Sequence, residues 1–306
     1  MNRTHSTLSE NHRDYGEPYY CLMIGKVLKL YLAPFSSGSQ VTMIRILKRI
    51  SRDIGCGHLP IERTPWPNID ITVVKSLVGK WEVKLSPATL NIYLFAIREI
   101  SRCCFLEGAI GDLQYADIKS YRLESAESRG CSGHYVSFEE RKKLIYSCVS
   151  DHRKNIGLRD HAALALLFSA GLRCTEAINL KPCDIKYDSA TLVIKKEDTL
   201  NSIRHLEAWA VLALKKWLDV SREHPNAGSN IIQRINKNGD AVGDIGISGL
   251  YKTLRSRCLL AQVEYMSPQD ARYTRGIDLI HQYGLIHASQ ALGHKSISTT
   301  ERYISR

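Results

Sequence analysis

Along most of this chain apolar residues recur at spacings of three and four, the period of amphipathic helices rather than strands. Residues 1–20 lack that pattern. They are polar, rich in His, Asn and Ser, and read as a tail, whose boundary is set at 27. Residues 19–31 are apolar and helix-like, and Ser-Ser-Gly-Ser at 36–39 breaks the chain and can cap the next helix. In 41–54 the spacing predicts a helix with Met43, Ile46, Leu47, Ile50 and Ile54 on one side and Arg45, Arg49 and Arg52 on another. Gly57, Pro60, Pro65 and Pro67 make 56–67 a loop, and 71–81 reads as a short helix. Ser86 then caps a helix with Pro87 at its first position, running over 88–107, with Tyr93, Ile97, Ile100 and Cys104 as its stripe and Arg98 and Arg102 off it. Residues 28–124 thus read as a bundle of four or five helices.

Residues 124–133 hold Ser, Ala and two glycines without periodicity, and 125–134 is assigned as an interdomain linker before a second domain at 135–306. Ser137 to Glu140 fits a capping box, so a helix is expected from there to 149. Further helices are expected at 159–170, stopped by Gly171, and at 175–180, 209–220, 250–262 and 270–283. The β-branched run 190–194 and the segment 203–207 read as strands, and 228–249 as loop. Gly293 ends a helix and leaves His294 in a loop. Ser298 to Glu301 fits a second capping box, which would put Tyr303 on a short helix begun at Ser298. The fold class is mainly α with a small sheet, α+β in total.

Composition adds the partner. The 306 residues suit about two domains. Lys and Arg total 42 against 31 Asp and Glu, a net charge of +11. That surplus points to a polyanion, nucleic acid first and an acidic membrane surface second. It also makes Arg45, Arg49, Arg52, Arg98 and Arg102 candidate DNA contacts rather than merely solvated faces. No stretch approaches the ~20 apolar residues of a membrane helix, and the polar start carries no apolar signal core, so a cytoplasmic protein is expected. The nine cysteines form no C-x-x-C pair, which leaves zinc ribbons and thioredoxin-type sites without support.

Three motifs carry the chemistry: G-L-R-C-T-E at 171–176, Q-D-A-R at 269–272 and L-G-H-K-S-I-S-T-T-E-R-Y at 292–303. Singly each has a plain reading: Arg173 as an ion-pair partner of Glu176, His294 as a loop histidine, Tyr303 as a terminal aromatic on the core. In this order and spacing the set resembles the tyrosine recombinase, or phage integrase, family. There an Arg in G-L-R-x-x-E, a Lys on a β-turn, His-x-x-Arg, Leu-Gly-His and a Tyr about nine residues later form the site. The resemblance spans 135–306 as the catalytic domain, with a small antiparallel sheet. It extends to 28–124 as the helical core-binding domain, notably at L-S-P-A-T-L-N-I-Y (85–93) and the run 97–108.

The resemblance implies that Tyr303 attacks a DNA phosphate, giving a 3′-phosphotyrosine and a free 5′ hydroxyl. The link conserves the bond energy, so no cofactor or metal is needed. Arg173 and Arg272 can present planar forks of donors to the non-bridging oxygens, whose charge grows in the transition state. His294 can donate or move a proton. A phenol titrates near about 10, so the nucleophile needs a cationic pocket or a base. The general acid would be Lys196, just past the strand 191–194, with Lys195 as the alternative. Gln269 replaces the family's first histidine; its amide donates without titrating. Only three residues come after Tyr303, which leaves the family's exchange of a terminal helix between subunits in doubt.

The implied function is site-specific recombination of double-stranded DNA at inverted-repeat core sites, through a Holliday junction, by a homotetramer with a dimer on each site. The biological role, whether transposon or plasmid resolvase, phage integrase or chromosome-dimer recombinase, stays open. A DNA-binding regulator without catalysis is the alternative from another class, and a nuclease or ordinary topoisomerase a third.

Overall fold

The computed structural model describes residues 17–123, 133–195, 201–222 and 228–304. These fall into two compact units, divided at Ser128/Arg129.

In the first unit, α1 (Glu17–Leu32), α2 (Ser37–Asp53), α3 (Ile71–Glu82), α4 (Pro87–Leu106) and α5 (Asp112–Ser120) surround one core. The tail expected at 1–27 is corrected from Glu17 onward. Met23, Ile24 and Val27 are buried, so the apolar face of α1 joins the core within the segment assigned to the tail. Asp70 caps α3 by accepting from the Val73 N–H at 2.9 Å. Ser86 accepts from the Thr89 N–H at 3.3 Å, with Pro87 at the first helical position. Ile97, Ile100 and Cys104 of α4 are fully buried as the stripe requires. Trp81 closes the core and donates from its indole N–H to Asp53 Oδ2 at 2.7 Å.

Most of the expected linker lies outside the described residues. His134 already belongs to the second unit, its N–H donating to Asp270 Oδ1 at 2.8 Å. Here α6 (Phe138–Val149) opens on the Ser137–Glu140 capping box. Next come α7 (Lys154–Phe168), α8 (Cys174–Asn179), β1 (Ile185–Lys186), β2 (Thr191–Ile194), β3 (Ser202–His205) and α9 (Ala208–Ser221). After them stand β4 (Gln233–Ile235), β5 (Ala241–Asp244), α10 (Ile247–Leu260), α11 (Pro268–Tyr283), α12 (Leu285–Leu292) and α13 (Ser298–Glu301). Along α7, residues 162–168 are all buried, which makes it the central helix, packed by α6, α9, α10 and α11.

The sheets are antiparallel: β1-β2-β3, and a separate hairpin β4-β5. The hairpin corrects the loop expected at 228–249. Its strands are three and four residues long, too short for alternation to show, and polar side chains close the turn. Asn236 Oδ1 accepts from the Asn238 and Asp240 N–H groups, both at 2.9 Å. The second capping box is also corrected. Helix α13 starts from Ile297 with no side-chain cap, and the Ser298 hydroxyl pairs with Ser296 Oγ at 2.8 Å. Tyr303 therefore sits just past α13, its N–H donating to the Thr300 carbonyl at 2.9 Å.

Candidate active site

Gly171, at φ +62°, turns the chain after α7 so that Arg173 precedes α8. The Arg173 N–H donates to Glu176 Oε2 and its guanidinium to Oε1, both at 2.8 Å. Arg272 rises from the first turns of α11 into the same region and is 1% exposed. It donates to the Gly171 carbonyl at 2.6 Å and to the Leu292 carbonyl at 2.7 Å, with Glu176 Oε2 at 3.7 Å. Two backbone acceptors and one carboxylate thus fix this guanidinium. Burial lowers its pKa to about 10, and Arg173 adds to the fall, but it stays charged at neutral pH. Burial pushes the Glu176 carboxyl up. The Arg173 N–H and the charges of Arg173 and Arg272 outweigh this, and the net shift is down.

Gly293, at φ +59°, ends α12 in the left-handed conformation and throws His294 back toward the arginines. His294 Nδ1 lies 2.7 Å from Thr300 Oγ1. Burial, then the charges of Arg272, Arg173 and Arg204, lower its pKa to about 4, so the imidazole is neutral at pH 7. Its ring meets Tyr303 edge to face at 5.7 Å between centroids. Tyr303 is 3% exposed and packs on Tyr273 at 5.0 Å. Gly276 permits this, because a Cβ there would lie 2.5 Å from Tyr303 Cε2. The fold therefore brings Arg173, Arg272, His294 and Tyr303 together from three separate stretches of chain.

Gln269 is exposed in the first turn of α11, three residues before Arg272. Lys196 lies outside the described residues. Lys195, its neighbour at the end of β2, pairs with Asp184 Oδ1 at 2.9 Å, and that contact raises the lysine's pKa. On the first unit, Arg45 and Arg52 are exposed. Arg49 pairs with Asp53 at 2.7 Å, Arg102 with Glu99 at 2.9 Å, and Arg98 donates to the Tyr121 carbonyl. Sequence reasoning missed Arg204 on β3, which shares the Leu292 carbonyl with Arg272, and Thr300, which holds His294. A charged residue within an otherwise ordinary strand pattern was the available signal for Arg204. Among the described residues no cluster of three His, Cys, Asp or Glu could hold a metal, and no helix is long and apolar enough to cross a membrane.

A buried arginine and an exposed one, a neutral histidine and a tyrosine make a site suited to a phosphodiester. Comparison with known proteins defines the class. The sequence pattern of the Phage integrase family matches residues 135–306, and the chain belongs to that family. It is 27% identical to the tyrosine recombinase XerC of Oceanobacillus iheyensis over 232 residues, covering 74% of this chain and 73% of that one. With the XerC of Staphylococcus saprophyticus it shares 25% identity over 174 residues, 56% of this chain and 57% of that one. The chain thus spans little more than half the length of several curated relatives it matches. Among solved structures it is similar to the XerH site-specific recombinase bound to palindromic difH substrate in a post-cleavage complex. That likeness has a TM-score of 0.69 at 17% identity, covering 93% of this chain and 92% of that one. It is also similar to a lambda integrase dimer bound to a COC′ core site, with a TM-score of 0.66 at 15% identity, over 92% and 76% of the two chains. At such identities the likeness establishes the fold.

Proposed function

We propose that this chain is a site-specific DNA recombinase that cuts and rejoins double-stranded DNA through a 3′-phosphotyrosine, with type IB topoisomerase-like chemistry at each strand. The observation that carries the reading is the convergence of Arg173, Arg272, His294 and Tyr303, with Arg272 buried and fixed on two carbonyls. A preorganised guanidinium needs no reorganisation when charge builds on the phosphate.

In the proposed step the Tyr303 oxygen bonds to phosphorus and the bond from phosphorus to the 5′ oxygen breaks. The phenolic proton leaves to solvent or to the neutral imidazole of His294. The 5′ oxygen takes a proton from Lys196. Lys196 is preferred as general acid because Lys195 is tied to Asp184, a contact that holds its proton more tightly. Buried as it is, the phenol has to be uncovered before a phosphate can reach it. Gln269, exposed one turn from Arg272, would donate its amide to the same phosphate.

The net charge of +11 and the exposed Arg45 and Arg52 support phosphate contacts by the helical unit, with Arg49, Arg98 and Arg102 as further candidates. Phosphate contacts position a protein without specifying sequence. By likeness to its relatives the chain would act as a homotetramer, a dimer on each inverted-repeat site, through a Holliday junction. The test places two copies of the DNA flanking this gene on one supercoiled plasmid. Exchanged products support recombination; relaxation alone indicates a topoisomerase, and binding without either a silent regulator.

A further inference from the structure

The carbonyl of Leu292, the last residue of α12, accepts from two arginines. Arg272 of α11 donates to it at 2.7 Å and Arg204 of β3 at 2.8 Å. The next residues are Gly293, in the left-handed conformation, and His294. Arg204 is thus bonded to the start of the turn that places His294. Its guanidinium also donates to Ser202 Oγ and to the Ile203 carbonyl on its own strand, the latter at 3.1 Å. The fit against the turn is close: a Cβ on Gly293 would lie 3.0 Å from Arg204 Cζ and 2.8 Å from Ser202 Oγ. Past the turn, the His294 N–H donates to the Ser289 carbonyl at 3.0 Å, and Nδ1 meets Thr300. Arg204 is a costly way to hold this turn. It is 1% exposed, and burial lowers its pKa, with the charge of Glu176 opposing the fall and that of Arg173 adding to it. Among the described residues no carboxylate lies within ion-pair distance of Arg204, and its Nε–H is buried without a partner. Burying a guanidinium on these terms costs stability. A leucine or valine would fill the same strand position without that cost, but could not bond Leu292.

We propose that Arg204 is a positioning residue of the phosphate site: by bonding the Leu292 carbonyl it fixes the Gly293 turn, and with it the place of His294 beside Arg272 and Tyr303. This rests on the reading of His294 as a group that acts at the scissile phosphate. Arg204 is too buried to meet a phosphate itself, so it acts through the turn. Among the described residues, the charges acting on the imidazole are Arg272 on α11, Arg173 before α8, Arg204 on β3 and Arg302 after α13. Loosening the turn lets the ring move away from them and toward water. Either change lets it take up a proton at higher pH, and the misplaced ring slows cleavage. An arginine that only filled space would leave the ring's titration alone.

The experiment compares the wild-type chain with Arg204→Met and Arg204→Lys in two measurements. One is the NMR titration of the His294 ring in the DNA-free protein; the other is single-turnover cleavage of a suicide substrate. Melting curves and DNA binding are recorded alongside. Arg204→Met should cleave about tenfold or more slowly, as a misplaced catalytic group does, at unchanged DNA affinity. Its His294 midpoint should rise from about 4 toward the ordinary 6.5. Arg204→Lys keeps the charge and loses the planar fork. It should lose cleavage as well, with a smaller rise in the midpoint. Wild-type cleavage in both variants overturns the proposal. So does slowed cleavage with an unmoved His294 midpoint, because the arginine then acts by another route. Full cleavage by Arg204→Lys with loss in Arg204→Met would make charge alone the cause and overturns the positioning role. Should Arg204→Met fail to fold, Arg204→Lys, which fills much the same space, carries the test on the same terms. A wild-type chain that binds DNA and cleaves none removes the functional reading. The titration then still decides whether Arg204 holds the turn, and an unmoved midpoint overturns that too.

Discussion

Arg272 and His294 set each other's behaviour. The arginine is desolvated yet keeps its charge through Glu176 and two carbonyl oxygens, and burial together with that charge holds the neighbouring imidazole neutral. The folded His294 titrates near about 4, against 6.5 for a free histidine. Between those values the unfolded chain binds the extra proton and the folded one does not. This residue's contribution to stability is therefore full above pH 6.5 and declines as the pH falls toward 4. In the DNA-free protein the His294 ring signals should not shift in an NMR titration from pH 8 to roughly 5.5; a midpoint near about 6.5 would mean that neither burial nor the arginines act on it. Gln269 belongs to the same scale. Loss of one donor to a charged phosphate costs roughly 1.5–3 kcal/mol, so Gln269→Ala should slow single-turnover cleavage on the order of ten- to a hundredfold. Gln269→His should be tolerated, and Arg272→Ala should lose more than either. A Gln269→Ala rate equal to wild type would remove the side chain from the phosphate. Arg173, Arg272, His294 and Tyr303 were legible because each stands in a short local motif. Arg204 was not, because only a contact 88 residues away along the chain, to Leu292, brings it into the site.

Elements that announce themselves locally were read well. Ser86 with Pro87, and Ser137 with Glu140, start α4 and α6 where the pattern placed them, since the capping groups lie within one turn of the ends they cap. The β4-β5 hairpin escaped because its stability comes from packing and a side-chain-closed turn rather than from alternation. At Ser298 the same capping pattern misled. With Ser296 two residues away, its hydroxyl has a competing partner, and the helix starts without it. The short α13 still matters for function, since its end carries Tyr303 across Gly276 of α11. Gly276→Ala raises helix propensity by about 0.5–1 kcal/mol. Yet its Cβ would stand 2.5 Å from the Tyr303 ring. The expected result is cleavage slowed by about tenfold or more through displacement of the nucleophile, with DNA affinity unchanged. Wild-type cleavage by Gly276→Ala would mean the ring does not need its place on α11.

For the whole molecule, charge sets affinity. A surplus of +11 on a chain of 306 residues should make DNA binding steeply salt-dependent. A fall on the order of a thousandfold between about 50 and 200 mM salt corresponds to roughly six phosphate contacts. An affinity that is flat over this range would deny the basic surface its role. In the proposed reaction, however, cleavage and rejoining would depend on one oxygen, that of Tyr303. The most direct measurement is covalent trapping on a nicked suicide substrate, comparing the wild-type chain with Tyr303→Phe, and then mass spectrometry of the DNA-linked peptide. The substitution removes the hydroxyl and leaves the ring packed on Tyr273. The expected result is a wild-type adduct on the 3′ phosphate through Tyr303, and none from Tyr303→Phe at equal DNA binding. An adduct that persists in Tyr303→Phe, or a wild-type chain that binds DNA and never links to it, would contradict it.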